Sequence, residues 1–170
     1  MSSEPGEGAL VARANRGDPA ALEELYRRHR DWVLGLAHRL TGNRSDALDV
    51  MQETFLWLFG KLPGLTLRAS LRSLLYPAVK HLAIDLARKR RRTVGGDPEL
   101  GFLLPSEEDG DFARLVARLP EGEREVVRLR FALDLKLEEI ADALGIPLGT
   151  VKSRLHNALR ALRAQVPEQE

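Results

Sequence analysis

Apolar residues recur at spacings of three and four along the first half of the chain, which is the period of an amphipathic helix. The pattern predicts a short helix near Leu10 and three long helices over 18–41, 45–62 and 68–92. The first long helix opens on Asp18-Pro19, a capping side chain followed by a proline at the first helical position. Ser45 is placed to cap the second. The prediction for this half is therefore a small helical bundle.

Each predicted helix has one apolar face, and these faces are expected to form the core. The expected core positions include Leu25, Val33, Leu36, Val50, Met51, Leu58, Leu71, Leu74, Leu75, Leu82 and Leu86. The opposite face of the second helix carries Asp49, Gln52, Glu53 and Leu56. Pro77 lies inside the third helix, removes a backbone donor and is expected to kink it.

The second half of the chain has a different organisation. Residues 93–111 are rich in glycine, proline and acids without helical period, and they are interpreted as a linker. Helical spacing resumes over 112–164 and ends in two short helices with a turn at Gly145, the helix-turn-helix pattern. The sequence therefore predicts five segments: an N-terminal extension at 1–16, a first domain at 17–92, the linker at 93–111, a second domain at 112–164 and a tail at 165–170.

Composition supports an all-α protein of two small helical domains joined by a flexible acidic linker. Aromatic residues make up 5% of the 170 residues and charged residues 30%, which favours helices with solvated faces over a strand-rich sandwich. The absence of cysteine excludes disulfides and thiolate metal sites. No targeting or membrane-spanning segment is visible, so a cytoplasmic location without membrane insertion is expected.

The net charge of +1 hides an uneven distribution of charge. Residues 80–92 contain six bases and one acid, whereas residues 93–112 contain six acids and no base. Such a switch indicates two surfaces with different partners.

The second helix of the helix-turn-helix pattern has the chemistry of a DNA-reading helix. Its outer side carries Thr150, Lys152, Ser153, His156 and Asn157, which can reach base edges in a major groove. Arg154, Arg160 and Arg163 are placed for phosphates. A helical hairpin with a solvated basic face is the structural alternative, and the residues alone indicate only a DNA-binding module.

A family resemblance adds to this interpretation. The segment "LPEGEREVVRLRFALDLKLEEIADALGIPLGTVKSRLHNALRALR" resembles region 4, the promoter-binding domain of extracytoplasmic-function (ECF) sigma factors of the bacterial sigma-70 family. Upstream, "GDPAALEELYRRH", "DALDVMQETFLWLF" and "LAIDLARKRRR" resemble the region 2 of that family in the correct order. The resemblance implies a factor that binds core RNA polymerase and directs promoter recognition, DNA melting and transcription initiation.

The resemblance also implies roles for residues of the first domain. The surface that docks on the β′ clamp helices of core RNA polymerase corresponds to Asp46, Asp49, Gln52 and Glu53, with Leu56 beside them. The β subunit of core RNA polymerase is a second expected partner. The 61–71 loop and the start of the third helix correspond to the part that captures unstacked minus-10 bases. The implied minus-10 contacts are His81, Arg88, Lys89, Arg90, Arg91 and Arg92. This chain departs from the usual pattern at Leu71, Leu74, Pro77 and His81.

In the second domain, the implied minus-35 contacts are Thr150, Lys152, Ser153, Arg154, His156, Asn157 and Arg160. The acidic linker is expected to lie along the polymerase. No cofactor, metal or catalytic residue is expected. Members of the family are often held by a separate anti-sigma factor, and the sequence leaves open whether this chain has one.

Three alternatives compete with an initiation factor. A stand-alone helix-turn-helix regulator would use only the second domain. A helical metal-dependent hydrolase would use Asp46, Asp49 and Glu53, although the histidines are too scattered to complete such a site. An inactive sigma-like adaptor would bind core polymerase without opening promoters.

Overall fold

The computed structural model describes residues 4–94 and 110–165, apart from the side chains of Arg91 and Val94. These residues form helices joined by turns and loops, and contain no strand, which confirms the all-α fold class. The helices are α1 (Glu7–Asn15), α2 (Pro19–Thr41), α3 (Arg44–Gly60), α4 (Leu71–Val94), α5 (Gly110–Ala117), α6 (Glu121–Phe131), α7 (Leu137–Leu144) and α8 (Leu148–Gln165). The chain divides into two compact units, Met1–Leu104 and Pro105–Glu170.

The first unit is built around α2, α3 and α4, with α1 packed on α2. The predicted first long helix is confirmed as α2, because the Asp18 carboxylate accepts from the Ala20 N–H at 3.0 Å and Gly42 ends the helix with a φ of 76°. The core of the first unit includes Leu10, Leu25, Val33, Leu36, Val50, Phe55, Leu58, Leu71, Leu75 and Val79.

The prediction that Ser45 caps the second long helix was wrong. Asn43 is the N-cap of α3, and its side-chain oxygen accepts from the Asp46 N–H at 2.8 Å. Ser45 is exposed in the first turn. Both residue types are good caps, so the local sequence allowed either start, and Asn43 makes two hydrogen bonds to Asp46 at the earlier one.

Helix α4 starts three residues later than predicted. Ser70 and Ser73 cap it reciprocally, each backbone N–H bonding the other residue's hydroxyl at 3.1 Å. The α-helix continues through Pro77 to Val94. Leu71 and Leu75 are buried as expected. The prediction that Leu74, Leu82 and Leu86 belong to the core was wrong, because all three are only partly buried and line open grooves.

The second unit contains α5–α8, and α8 packs against each of the other three helices. Its core includes Val126, Leu129, Leu135, Ile140 and Val151. The predicted helix-turn-helix turn is observed, with Gly145 at a φ of 63° and the Ile146 N–H bonded to the Ala141 carbonyl at 3.1 Å. The left-handed conformation at this turn suits glycine, which has no Cβ to clash.

Parts of the predicted boundaries fall outside the described residues. Most of the predicted linker, residues 95–109, lies there, as do residues 166–170 of the predicted tail. The described ends of the linker, 93–94 and 110–111, belong to α4 and α5. None of the helices in residues 4–94 and 110–165 combines the length and apolarity needed to cross a bilayer.

Candidate functional surfaces

An exposed strip on α3 carries three polar residues and one leucine, and we call it the α3 strip: Asp49, Gln52, Glu53 and Leu56. Leu56 keeps 66% of its surface accessible, although its size and apolarity favour burial. None of the three polar side chains bonds to another side chain that the structure describes. The strip therefore combines unpaired acceptors with a large apolar contact, as protein interfaces do.

Asp46 does not share this strip. It is only 4% exposed, it accepts from the Asn43 side-chain amide at 2.7 Å, and it is paired with Arg90 of α4. The expectation that Asp46 lies on the same exposed face was wrong, because this position is one turn before Asp49 and faces α4. Its carboxylate joins the start of α3 to the end of α4.

A groove between α3 and α4 continues the α3 strip onto the neighbouring helix. It is lined by Asp49 and Glu53 on α3 and by Leu82, Asp85 and Lys89 on α4, among others. Acids from both helices and one base therefore meet in one open depression. A partner surface with matching cations and an apolar side chain would fit it.

A second groove lies next to the first and is mainly apolar. It is lined by Trp57, Leu74, Pro77, Ala78, His81 and Leu82. His81 is well exposed at its rim, with Nε2 3.7 Å from the Asp85 carboxylate. The Lys61 ammonium lies 5.2 Å from the centre of the Trp57 ring. An apolar trough with an aromatic ring and nearby cations is a suitable surface for an unstacked base.

The basic end of α4 is exposed at Arg88, Lys89 and Arg92. Arg88 approaches Asp85 at 4.0 Å while most of its side chain stays accessible. Arg90 is different, because it is engaged with Asp46. Arg90 keeps 56% of its side chain accessible, so this pair leaves it partly open to solvent.

Residues 61–70, which we call the α3–α4 loop, are attached to α1. The side-chain oxygen of Asn15 (Oδ1) accepts from the N–H groups of Gly64 and Leu65 at 2.9 and 3.0 Å, and its side-chain amide nitrogen (Nδ2) donates to the Leu65 carbonyl at 2.8 Å. At the end of the loop, the Glu7 carboxylate accepts from the Leu71 N–H at 2.7 Å. Two residues of α1 therefore hold the loop and the start of α4.

Glu7 also contacts the buried side chain of His29, whose Nε2 is 2.9 Å from the other carboxylate oxygen. Burial alone would raise the pKa of Glu7. The hydrogen bonds from His29 and from the Leu71 N–H, with the charges of His29 and Arg72, outweigh burial and lower the pKa below its usual value of 4.5. The ionised carboxylate is the form that suits this site.

The outward face of α8 carries the predicted DNA-reading residues. Lys152, Ser153, His156, Asn157 and Arg160 are exposed, while Thr150 is partly buried and its carbonyl accepts from the Ser153 hydroxyl at 3.0 Å. The inward face carries Val151, Ala158 and Leu162. The spacing of these three residues holds α8 against the core and leaves the polar face to solvent.

Arg154 lies away from the rest of the reading face. It is partly buried, and a Cβ built on Gly122 of α6 would meet its guanidinium carbon at 3.1 Å. The absence of a side chain at Gly122 thus leaves room for Arg154 to lie across the start of α6. The structure therefore separates Arg154 from the five exposed residues of the predicted set.

Two family descriptions match the two units. The Sigma-70 region 2 family matches residues 25–93, and the Sigma-70 region 4 family matches residues 109–162. The ECF RNA polymerase sigma factor SigL of Mycobacterium tuberculosis is 35% identical over 172 residues, which cover 94% of this chain and 97% of SigL. The chain belongs to the ECF sigma factors of the sigma-70 family.

Other relatives agree with this family. The RNA polymerase sigma factor SigV of Bacillus subtilis is 32% identical over 147 residues, which cover 84% of this chain and 89% of SigV. Among solved structures, CnrH in complex with the cytosolic domain of CnrY is similar with a TM-score of 0.63 and 25% identity, covering 93% of this chain and 95% of the solved chain. As an ECF sigma factor, the protein binds RNA polymerase and directs it to promoters.

The hydrolase alternative required Asp46, Asp49 and Glu53 to form one site. The described residues contain no group of three histidine, aspartate or glutamate side chains able to hold a metal ion. Asp46, which the alternative required, is already bonded to Asn43 and Arg90.

Three structural roles in the ECF sigma factor were missed by sequence reasoning. Asn15 and Glu7 hold the α3–α4 loop from positions about fifty residues and more upstream, and no local pattern links them to it. Trp57 was also missed. Its position in the helical period lies between the inward and outward faces of α3. A large aromatic residue at such a position could have predicted that it lines a groove.

Proposed function

We propose that this ECF sigma factor divides promoter recognition between its two units and catalyses no covalent reaction itself. The first unit docks on the β′ clamp helices through the α3 strip, and it melts and captures the minus-10 element. The second unit reads the minus-35 element with α8. The observation that carries this proposal is the α3 strip, whose exposed leucine and unpaired acids a stand-alone DNA-binding regulator would not need.

The α3 strip has the properties of a docking surface. Leu56 supplies apolar area, for which burial stabilises by roughly 25 cal/mol per Å². Asp49 and Glu53 supply charges that steer a basic partner and fix its register. Asp46 acts differently, by holding the start of α3 against α4, so it supports the surface without touching the polymerase.

The minus-10 function is supported by the apolar groove and the basic end of α4. The groove offers Trp57 and His81 to an unstacked base, and its lining is mainly apolar. Arg88, Lys89 and Arg92 are exposed for phosphates, and Arg91 belongs to the same run. Opening a duplex needs both functions, because the captured base loses its stacking partners while the strand must be held.

The minus-35 function is supported by α8. Lys152, Ser153, His156 and Asn157 offer donors and acceptors on one exposed face of the first turns, and Thr150 lies beside them. Arg160 is exposed further along the helix for a phosphate. Arg154 is assigned a supporting role, because its guanidinium packs over Gly122.

The test is promoter-dependent transcription by a bacterial core polymerase on a mixed genomic template, with sequencing of RNA 5′ ends. Discrete starts are expected only when the protein is present. Asp49→Arg should abolish them and weaken core binding at least tenfold, because it places a cation where the partner is expected to be basic. The matched control is Asp31→Arg, the same charge reversal at an exposed position of α2.

The outcomes separate the candidate functions. If the wild-type protein binds duplex DNA, does not bind core polymerase and produces no new transcription starts, the chain is a stand-alone regulator. If core binding occurs without promoter opening, the adaptor alternative holds. If Asp49→Arg and Asp31→Arg behave alike, the α3 strip is not the polymerase surface.

A further inference from the structure

Helix α1 contains none of the residues assigned so far to polymerase or DNA binding. It is nevertheless fixed to the first unit, because Leu10, Val11 and Ala14 are buried against it. Its last residue, Asn15, turns its side chain toward the α3–α4 loop, fifty residues further along the chain. This contact is unexplained by the assigned surfaces.

The Asn15 side chain is not needed to end α1. The helix ends through backbone bonds instead, from the N–H groups of Arg16, Gly17 and Asp18 at 3.0, 2.9 and 3.2 Å. Every polar atom of the Asn15 side chain is therefore available to the loop. Its oxygen accepts two backbone N–H groups and its amide donates to one carbonyl.

These three bonds are the principal attachment of the loop. Among the described residues, no other hydrogen bond is made by the stretch 63–69. The attachment falls at Gly64, whose φ of 109° is a conformation that suits glycine. Glu7, from the first turn of the same helix, holds the Leu71 N–H where the loop enters α4. One helix thus fixes both the middle and the end of the loop.

We infer that α1 is a positioning element for minus-10 recognition and that Asn15 is its principal positioning residue, an inference that rests on the proposed function of the α3–α4 loop. Asn15 does not contact DNA in this scheme. It holds the backbone of Gly64 and Leu65 before DNA arrives. The loop is then already ordered when a base is captured, and binding does not carry the entropic cost of ordering it.

The inference predicts a specific defect. Asn15→Ala should leave core binding and minus-35 binding within about twofold of wild type, because neither surface involves α1. Opening of the minus-10 element should fall about tenfold, because the three bonds are lost and the loop must order on binding. Discrimination between matched and mismatched minus-10 sequences should also fall.

Two variants make the test specific. Asn15→Asp keeps both acceptor bonds to Gly64 and Leu65 but places an anionic oxygen beside the Leu65 carbonyl, so its opening defect should be intermediate. Ala12→Asn is the matched control, since it puts an asparagine on the exposed side of α1 and weakens the helix without touching the loop. It should open promoters as wild type does.

The experiment measures holoenzyme opening by the fluorescence of a base analogue in the minus-10 element, together with core affinity and amide hydrogen exchange of the free protein. Faster exchange at Gly64 and Leu65 with a selective opening defect supports the inference. Unchanged exchange, unchanged opening, or equal defects in Asn15→Ala and Ala12→Asn overturns it. If wild-type holoenzyme itself opens no promoter, the proposed function fails, whereas the exchange data still report whether Asn15 holds the loop.

Discussion

At the scale of single residues, the first unit depends on polar side chains that each join several elements. Glu7 is the clearest case, because its two oxygens contact His29 of α2 and the Leu71 N–H at the start of α4. A carboxylate at a helix N-terminus also interacts favourably with the helix dipole. One side chain of α1 thus helps to hold two other helices.

The lowered pKa of Glu7 predicts a pH dependence of stability. Because the folded pKa lies below the unfolded one, the ionised carboxylate stabilises the fold above about pH 4.5, and this contribution is lost as pH falls through the folded pKa. Glu7→Gln should therefore lower the melting temperature of the protein more at pH 6 than near pH 3. Thermal unfolding followed by circular dichroism at both pH values measures it, and an equal loss at both would contradict the ionic role.

Residue roles were predictable from the sequence only where they follow helical spacing. The exposure of Asp49, Gln52, Glu53 and Leu56 followed from a period of 3.6 residues applied to α3. The burial of Asp46 did not, since that depends on Arg90, which lies 44 positions away. Contacts between residues so far apart carry no local signal.

At the scale of elements, the existence of each long helix was predictable and its ends were less so. The Asp18-Pro19 signal located the start of α2, because one cap was locally available. At α3, Asn43 and Ser45 competed, and the sequence could not choose between them. For α4, a broad apolar stripe concealed two surfaces: Leu71 and Leu75 face the core, whereas Leu74 and Leu82 line the groove beside Trp57.

The competition at α3 can be tested directly. Asn43→Ala should lower the free energy of unfolding by about 1 kcal/mol or more, because it removes the cap and also a hydrogen-bond partner of Asp46. Ser45→Ala is the control and should stay within about 0.5 kcal/mol of wild type. Urea denaturation measures both. A loss confined to Ser45→Ala would show that α3 starts at the later position in solution.

At the scale of the whole molecule, the chain consists of two units that each have a core. The first is built on residues such as Leu25 and Leu58, and the second on residues such as Leu129 and Ile140. A unit with its own core can fold alone. The two-domain interpretation drawn from the sequence therefore has a physical basis in the packing of each unit.

This organisation predicts the behaviour of the separated halves. Fragment 1–104 should bind core polymerase, and fragment 105–170 should bind a minus-35 duplex weakly, since each proposed surface lies within one unit. Mixed at micromolar concentration, they should open promoters far less than the intact chain, because a covalent connection between two binding units raises their effective concentration to about millimolar. Opening assays on the mixture and on the intact protein measure this. Equal opening by both would show that the connection contributes nothing.

The pairing of Arg90 with Asp46 also affects how the protein responds to salt. Each phosphate that a cation neutralises releases bound counterions and steepens the fall of affinity with ionic strength, by roughly 0.7–0.9 in the logarithmic slope. The run 88–92 has five cations, and Arg90 is paired with Asp46, so in the proposed minus-10 complex we expect Arg90 to displace fewer counterions than an unpaired arginine would. We therefore expect the proposed DNA contact of this end of α4 to weaken less steeply with ionic strength than five unpaired cations would predict.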